Sequence, residues 1–146
     1  MKPVNQTITN FKTGDCMRAC VASIFELPIE SVPNFMADGH EKYLEHLQAW
    51  CARKGLLFLP IKFIEGTIAK EFLRDTYVVA IGESPGAVKA EQNHAVVWRN
   101  GRIVHDPHPT DHRGIIGEPF EYDVFVVKDP AIFCRILDSA EYMMMA

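Results

Sequence analysis

The spacing of apolar positions changes character once along the chain, near residue 55, from helical periods to short continuous runs. Residues 1–13 show no period and carry Gln6, Asn10 and several threonines, which predicts an extended arm or loop. From Cys16 to Phe25 the positions Ala19, Cys20 and Ile24, with Leu27 one turn on, recur at helical spacing and predict a buried helix stopped by Pro28. The prolines at 28 and 33 leave room only for a turn or one short helical turn, with Phe35 and Met36 expected to plug the core. A second helix is expected from about His40 to Lys54. Its apolar face is Tyr43, Leu44, Leu47, Trp50 and Cys51, its polar face Glu41, Lys42, Glu45 and Arg53, and Gly55 closes it as a left-handed cap.

Beyond Gly55, Leu56 to Pro60 reads as an early or edge strand, Thr67 to Leu73 as a short third helix, and Thr76 to Gly82 as a central strand covered on both faces. Glu83 to Gln92 reads as a surface loop. Asn100-Gly101 between His94–Arg99 and Arg102–Asp106 is a strong hairpin signal. A last strand is expected from Tyr122 to Val127, followed by a tail from Ala131 to Ala146 that reads equally as a packed helix or an interface segment. Helices first and then a run of mostly hairpin-connected strands predict one α+β domain over residues 1–146, with N-terminal helices packed on an antiparallel sheet.

Composition sets bounds on that picture. The chain has 146 residues, 48% of them hydrophobic, enough for a real core. A net charge of -4 offers no basic stripe, so a nucleic-acid partner is not expected. No signal-like or membrane-spanning apolar run is present, so a cytoplasmic location without membrane contact is expected. The four cysteines are then expected to be reduced, with Cys20, Cys51 and Cys134 as buried small hydrophobes.

Cys16 differs from those three. It opens a helix, where unpaired N–H groups and the positive dipole end favour a thiolate, and Asp15 is placed to cap that helix through its side chain. A nucleophilic thiol needs a histidine as base and acid, a group to orient that histidine, and donors for the oxyanion. Of six histidines, His40 and His46 read as surface residues, whereas His94 begins a buried strand at the sheet rim. Its relation to Asp106 depends on the hairpin. A two-residue turn at Asn100-Gly101 sends Asp106 to the opposite face, while a three-residue turn Arg99-Asn100-Gly101 with a bulge at Gly101 sets His94 directly across from Asp106. The second register is the one expected. Pro107 then holds Asp106 extended and supplies no competing N–H.

Gly14-Asp15-Cys16 opening a helix with Ala19-Cys20, followed by His94-Ala95-Val96-Val97 and by His105-Asp106-Pro107, resembles the papain-like cysteine peptidases. The match is most similar to the bacteriocin-leader (double-glycine) peptidase branch and to small phage and bacterial proteins of that fold whose substrates are undefined, and it spans residues 6–107. The resemblance implies Cys16 as nucleophile, His94 as general base and acid, and Asp106 as orienter, working through a thioester acyl-enzyme with no cofactor. Such enzymes place an oxyanion glutamine commonly six residues before the cysteine. Here Asn10 stands at that position and Gln6 lies ten residues before, and Gln6 is taken as the donor, with the Cys16 N–H as the second. Met17 replaces the glycine typical of the leader peptidases, so a peptidase, isopeptidase or amidase acting on a peptide or protein is expected rather than leader cleavage. Acyl transfer uses the same triad.

Two other readings compete. The stretch His105 to His112 gathers three histidines and two aspartates, and Cys16 and Cys20 share a helix face, so a zinc site is chemically conceivable, although no paired ligand motif accompanies them. The fold could also serve as an inactive binding module.

Overall fold

The computed structural model describes residues 1–62, 64–86, 92–110 and 114–131. Helix α1 (Cys16–Phe25) buries Met17, Ala19, Cys20, Val21, Ala22 and Ser23. It ends before Pro28 is reached. Glu26 adopts a left-handed conformation (φ 55°), and the amides of Glu26 and Leu27 turn back onto the last carbonyls of the helix. Ile29–Ser31 form a single 3-10 turn, as the proline bracket predicts, and Phe35 is buried, whereas Met36, expected beside it in the core, is only half-buried.

Helix α2 (His40–Arg53) turns Leu47, Trp50 and Cys51 inward and is closed by Gly55 at φ 72°. Leu44, expected on that buried face, is exposed. Among the strands, β1 (Leu56–Lys62), β2 (Val78–Glu83), β3 (Asn93–Arg99), β4 (Arg102–His105) and β5 (Ile116–Val127) form one antiparallel sheet in the order β1-β5-β2-β3-β4, and α3 (Gly66–Phe72) joins β1 to β2. The architecture is α+β. The order corrects the expectation of mostly hairpin-connected strands. β5 starts six residues earlier than Tyr122 and crosses back to lie between β1 and β2. β1 is an edge strand and β2 a central one, as their patterns predict.

Two apolar layers hold the sheet. On one face α1 and α2 cover Val79, Ala95 and Val97 with Val21, Leu47 and Trp50; on the other, Ala69 and Leu73 of the α3 segment cover Val78, Val96, Trp98 and Tyr122. Trp50, Trp98 and Phe35 are therefore core residues. Cys134 and the tail beyond Ala131 lie outside the described residues.

The hairpin has the two-residue turn, not the three-residue one. Asn100 (φ 52°) and Gly101 (φ 85°) both take positive φ, and Arg99 pairs with Arg102 and Trp98 with Ile103. One step further the register shifts, for Val97 pairs with His105 and Val104 is left as the extra residue of a bulge. A one-residue displacement is present, but at Val104 and in the opposite sense, so that Asp106 falls in line with Val96 rather than directly across from His94.

Candidate active site

Three segments meet at the rim of the sheet: the start of α1, the start of β3 and the end of β4. The bulge decides their geometry. Without an extra residue Asp106 would point away from His94; with Val104 inserted, Asp106 comes into phase with Val96 and hence with His94. The side chains meet, with Asp106 Oδ1 2.7 Å from His94 Nε2. Asp106 also accepts the His108 N–H at 3.0 Å on Oδ1 and the Gly114 N–H at 2.9 Å on Oδ2. Burial alone would raise the Asp106 pKa, but the bond to His94 and these two amides hold it below the ordinary carboxylate range. The carboxylate is thereby fixed from both sides.

With Nε2 taken by Asp106, Nδ1 is the ring nitrogen left for Cys16. Burial acts to lower the His94 pKa, yet hydrogen bonding to Asp106 and to Cys16, with the negative charge of both, raises it to about 9. The imidazolium form is favoured. Cys16 itself is partly buried at the first helical position, where its N–H has no intrahelical acceptor.

Asp15 does not cap α1 with its side chain. Fully buried, its carboxylate instead accepts the Thr7 N–H at 2.9 Å, the Ile8 N–H at 2.8 Å and the Thr7 hydroxyl at 2.8 Å, with Arg18 at 3.4 Å. It therefore pins the N-terminal arm against the helix start. The Gln6 N–H donates to the Pro107 carbonyl at 2.8 Å, tying the arm to the residue after Asp106 as well. Gly14 is required where the arm folds back, because a Cβ there would collide with the Asn10 carbonyl.

Gln6 and Asn10 both line the cleft that contains Cys16 and His94. Asn10 is committed to its own turn, with Oδ1 accepting the Lys12 and Thr13 amides. Gln6 is buried and gives one amide hydrogen to the Ile8 carbonyl at 2.8 Å, which leaves the second hydrogen of that nitrogen for another acceptor. The arrangement favours Gln6 over Asn10 as a donor into the cleft.

The described histidines of the His105–His112 stretch face different partners. The His105 ring donates to the Val4 carbonyl at 2.9 Å, while His108 lines the cleft, and Asp111 and His112 lie outside the described residues. Among the described residues no group of three His, Cys, Asp or Glu side chains is placed to hold a metal. Cys20 is fully buried, and burial pushes its thiol pKa up, as suits a core residue.

The cleft encloses about 590 Å³ and extends from Cys16 and His94 to Lys62 and Glu121. The sequence pattern missed this second end. Asp123, two residues along β5, has a fully buried carboxyl whose pKa is pushed up by burial and then by hydrogen bonding to Glu121 and by its charge, to about 9. Burial thus favours its protonated form. The available signal was a charged residue at an inward position of the otherwise apolar run Tyr122–Val127.

Against known proteins, the chain matches no family model, no curated protein and no solved structure. Among the described residues no helix is long and apolar enough to cross a membrane.

Proposed function

We propose that the protein is a cysteine hydrolase of papain-like type, a peptidase, isopeptidase or amidase, with Cys16 as nucleophile, His94 as base and acid and Asp106 as orienter. The observation that carries this reading is the His94 ring held at 2.7 Å by Asp106 on Nε2, with Cys16 on its remaining side. A buried carboxylate with two further amide donors is a rigid anchor for an imidazole.

In the proposed reaction the Cys16 sulfur attacks the scissile carbonyl carbon. The carbonyl π pair moves onto oxygen, and the oxyanion is met by the Cys16 N–H and the Gln6 amide. Collapse of the tetrahedral intermediate breaks the C–N bond as His94 gives its proton to the leaving amine, which leaves a thioester on Cys16. Water then transfers a proton to His94 as its oxygen attacks the thioester carbon, and the carboxylic acid departs as sulfur regains its electron pair. An amine in place of water would give acyl transfer.

Labelling with a panel of electrophilic peptide and ubiquitin-like carboxyl-terminal probes tests nucleophile and acyl preference together. The natural chain is expected to be labelled at Cys16 and Cys16→Ala to be unlabelled and inactive while keeping its far-UV and near-UV circular dichroism. Hydrolysis retained by Cys16→Ala, or alkylation of Cys16 at neutral pH no faster than that of free cysteine, would overturn the mechanism and favour a binding module.

A further inference from the structure

The cleft has an acidic end that the proposed triad does not use. Glu121 lines the same cleft as Cys16, with its side chain only 12% exposed, among the apolar surfaces of Phe58, Pro60 and Ile81. Behind it the Asp123 side chain is fully buried, and neither of its oxygens receives a hydrogen bond from a donor among the described residues. An unpaired ionised carboxyl in that position would be costly, so burial favours the protonated form of Asp123, and Glu121 is the carboxyl that this end of the sheet presents to the cleft.

The cation opposite it is loosely held. Lys62 Nζ lies 3.4 Å from Glu121, on edge strand β1, with its side chain 55% exposed. An ion pair open to water on the lysine side contributes little, so a competing cation delivered inside the cleft can displace it while Lys62 swings into solvent. The carboxylate stays in place, because the β5 backbone is paired on both sides at Glu121, to Lys62 of β1 and Ile81 of β2.

We propose that Glu121 is a specificity-determining residue that selects substrates carrying a cationic group, of lysine or arginine type, next to the bond Cys16 attacks. The selection concerns substrate binding and rests on the hydrolase reading only for the identity of the bond broken. A carboxylate in a partly desolvated cleft attracts a cation more strongly than one on the surface, while an anionic group would meet repulsion there.

Methanethiosulfonates that differ only in their head group test the charge preference without requiring turnover. Each transfers its alkylthio group to the Cys16 sulfur, forming a disulfide and releasing methanesulfinate. Rates at Cys16 are read by peptide mass mapping for trimethylammonioethyl, sulfonatoethyl and methyl reagents and divided by the rates for free cysteine. The cationic reagent is expected to exceed the anionic one by about tenfold or more. Glu121→Gln should remove most of that ratio, Lys62→Met should raise it, and Glu45→Gln, the same charge change on the exposed face of α2, should leave it unchanged. A ratio near one, a preference for the anionic reagent, or a ratio unmoved by Glu121→Gln would overturn the proposal. Should Glu121→Gln lose its circular dichroism, Lys62→Met decides: a higher ratio supports the proposal and an unchanged one sinks it. The neutral reagent reports thiol activation alone, so a slow methyl rate with a large charge ratio would count against hydrolysis and leave the cationic preference standing.

Discussion

At the scale of single residues, His94 gathers the most information. Its ring is clamped by Asp106 and faces Cys16, and the two together raise its pKa to about 9 against the burial that opposes them. Replacing Asp106 by Asn keeps the shape but removes the charge, so the His94 midpoint should fall, as read by NMR titration of the ring. Hydrolysis should fall with it by about 10²–10⁴-fold, the usual contribution of positioned proton transfer. An unchanged midpoint in Asp106→Asn would mean that Cys16 alone sets the titration. The identities of Cys16, His94 and Asp106 were legible in the sequence because each stands at a local signal: a helix start after Gly14, a strand start after a polar loop, and an aspartate before proline. The role of Asp15 was not. Its position suggests a cap, but whether its oxygens turn to the helix or to the arm depends on Thr7 and Ile8 arriving from eight and seven residues away.

At the scale of elements, the arm and the hairpin place those residues, and each has a fragile point. Asp15→Ala would strip acceptors from two amides and a hydroxyl in a buried setting, at a cost of about 1–3 kcal/mol. Because the same arm carries Gln6, activity should fall further than stability. Chemical denaturation and hydrolysis rates on one preparation check both, and an active but destabilised variant would separate Gln6 from the reaction. In the hairpin, deletion of Val104 would extend the two-residue-turn register through β4 and turn Asp106 to the other face. The His94 midpoint should then drop as it does in Asp106→Asn; a retained midpoint would show that another carboxylate reaches the ring. The Asn-Gly turn was readable from two residues, whereas the bulge was not. Val104 is β-branched and apolar like its neighbours, and the shift follows from the packing of Val104 against the α1 side of the sheet and from the His105 bond to Val4.

At the scale of the whole molecule, the placement of β5 between β1 and β2 carries Asp123 into the sheet's interior and Glu121 to the cleft, and this long-range pairing has no local signature in the sequence. It also writes a pH dependence into the fold. His94 and Asp123 both have folded-state pKa values above their unfolded ones, so each stabilises the folded chain most at low pH and loses that contribution as pH rises. For His94 the loss runs from about 6.5 to about 9 and amounts to roughly 3 kcal/mol. For Asp123 it begins near the ordinary aspartate value of 3.8 and ends near 9, since across that window only the unfolded chain releases the proton. Asp106 acts in the opposite sense, its contribution being present above 3.8 and lost as pH falls through its lowered value.

Asp123→Asn separates these contributions. The amide has the shape of the protonated carboxyl, but it has no proton to lose in the unfolded state. At pH 4 the variant should match the natural chain in urea denaturation. From pH 5 upward its advantage should grow, by up to about 1.4 kcal/mol per pH unit for one proton retained on folding. The residual fall between pH 6.5 and 9 is then that of His94, and it should shrink in the double variant with Asp106→Asn, where Cys16 alone remains to raise the midpoint. A natural chain and an Asp123→Asn variant with parallel stability profiles from pH 4 to 7 would mean that Asp123 is already ionised when folded, its burial notwithstanding.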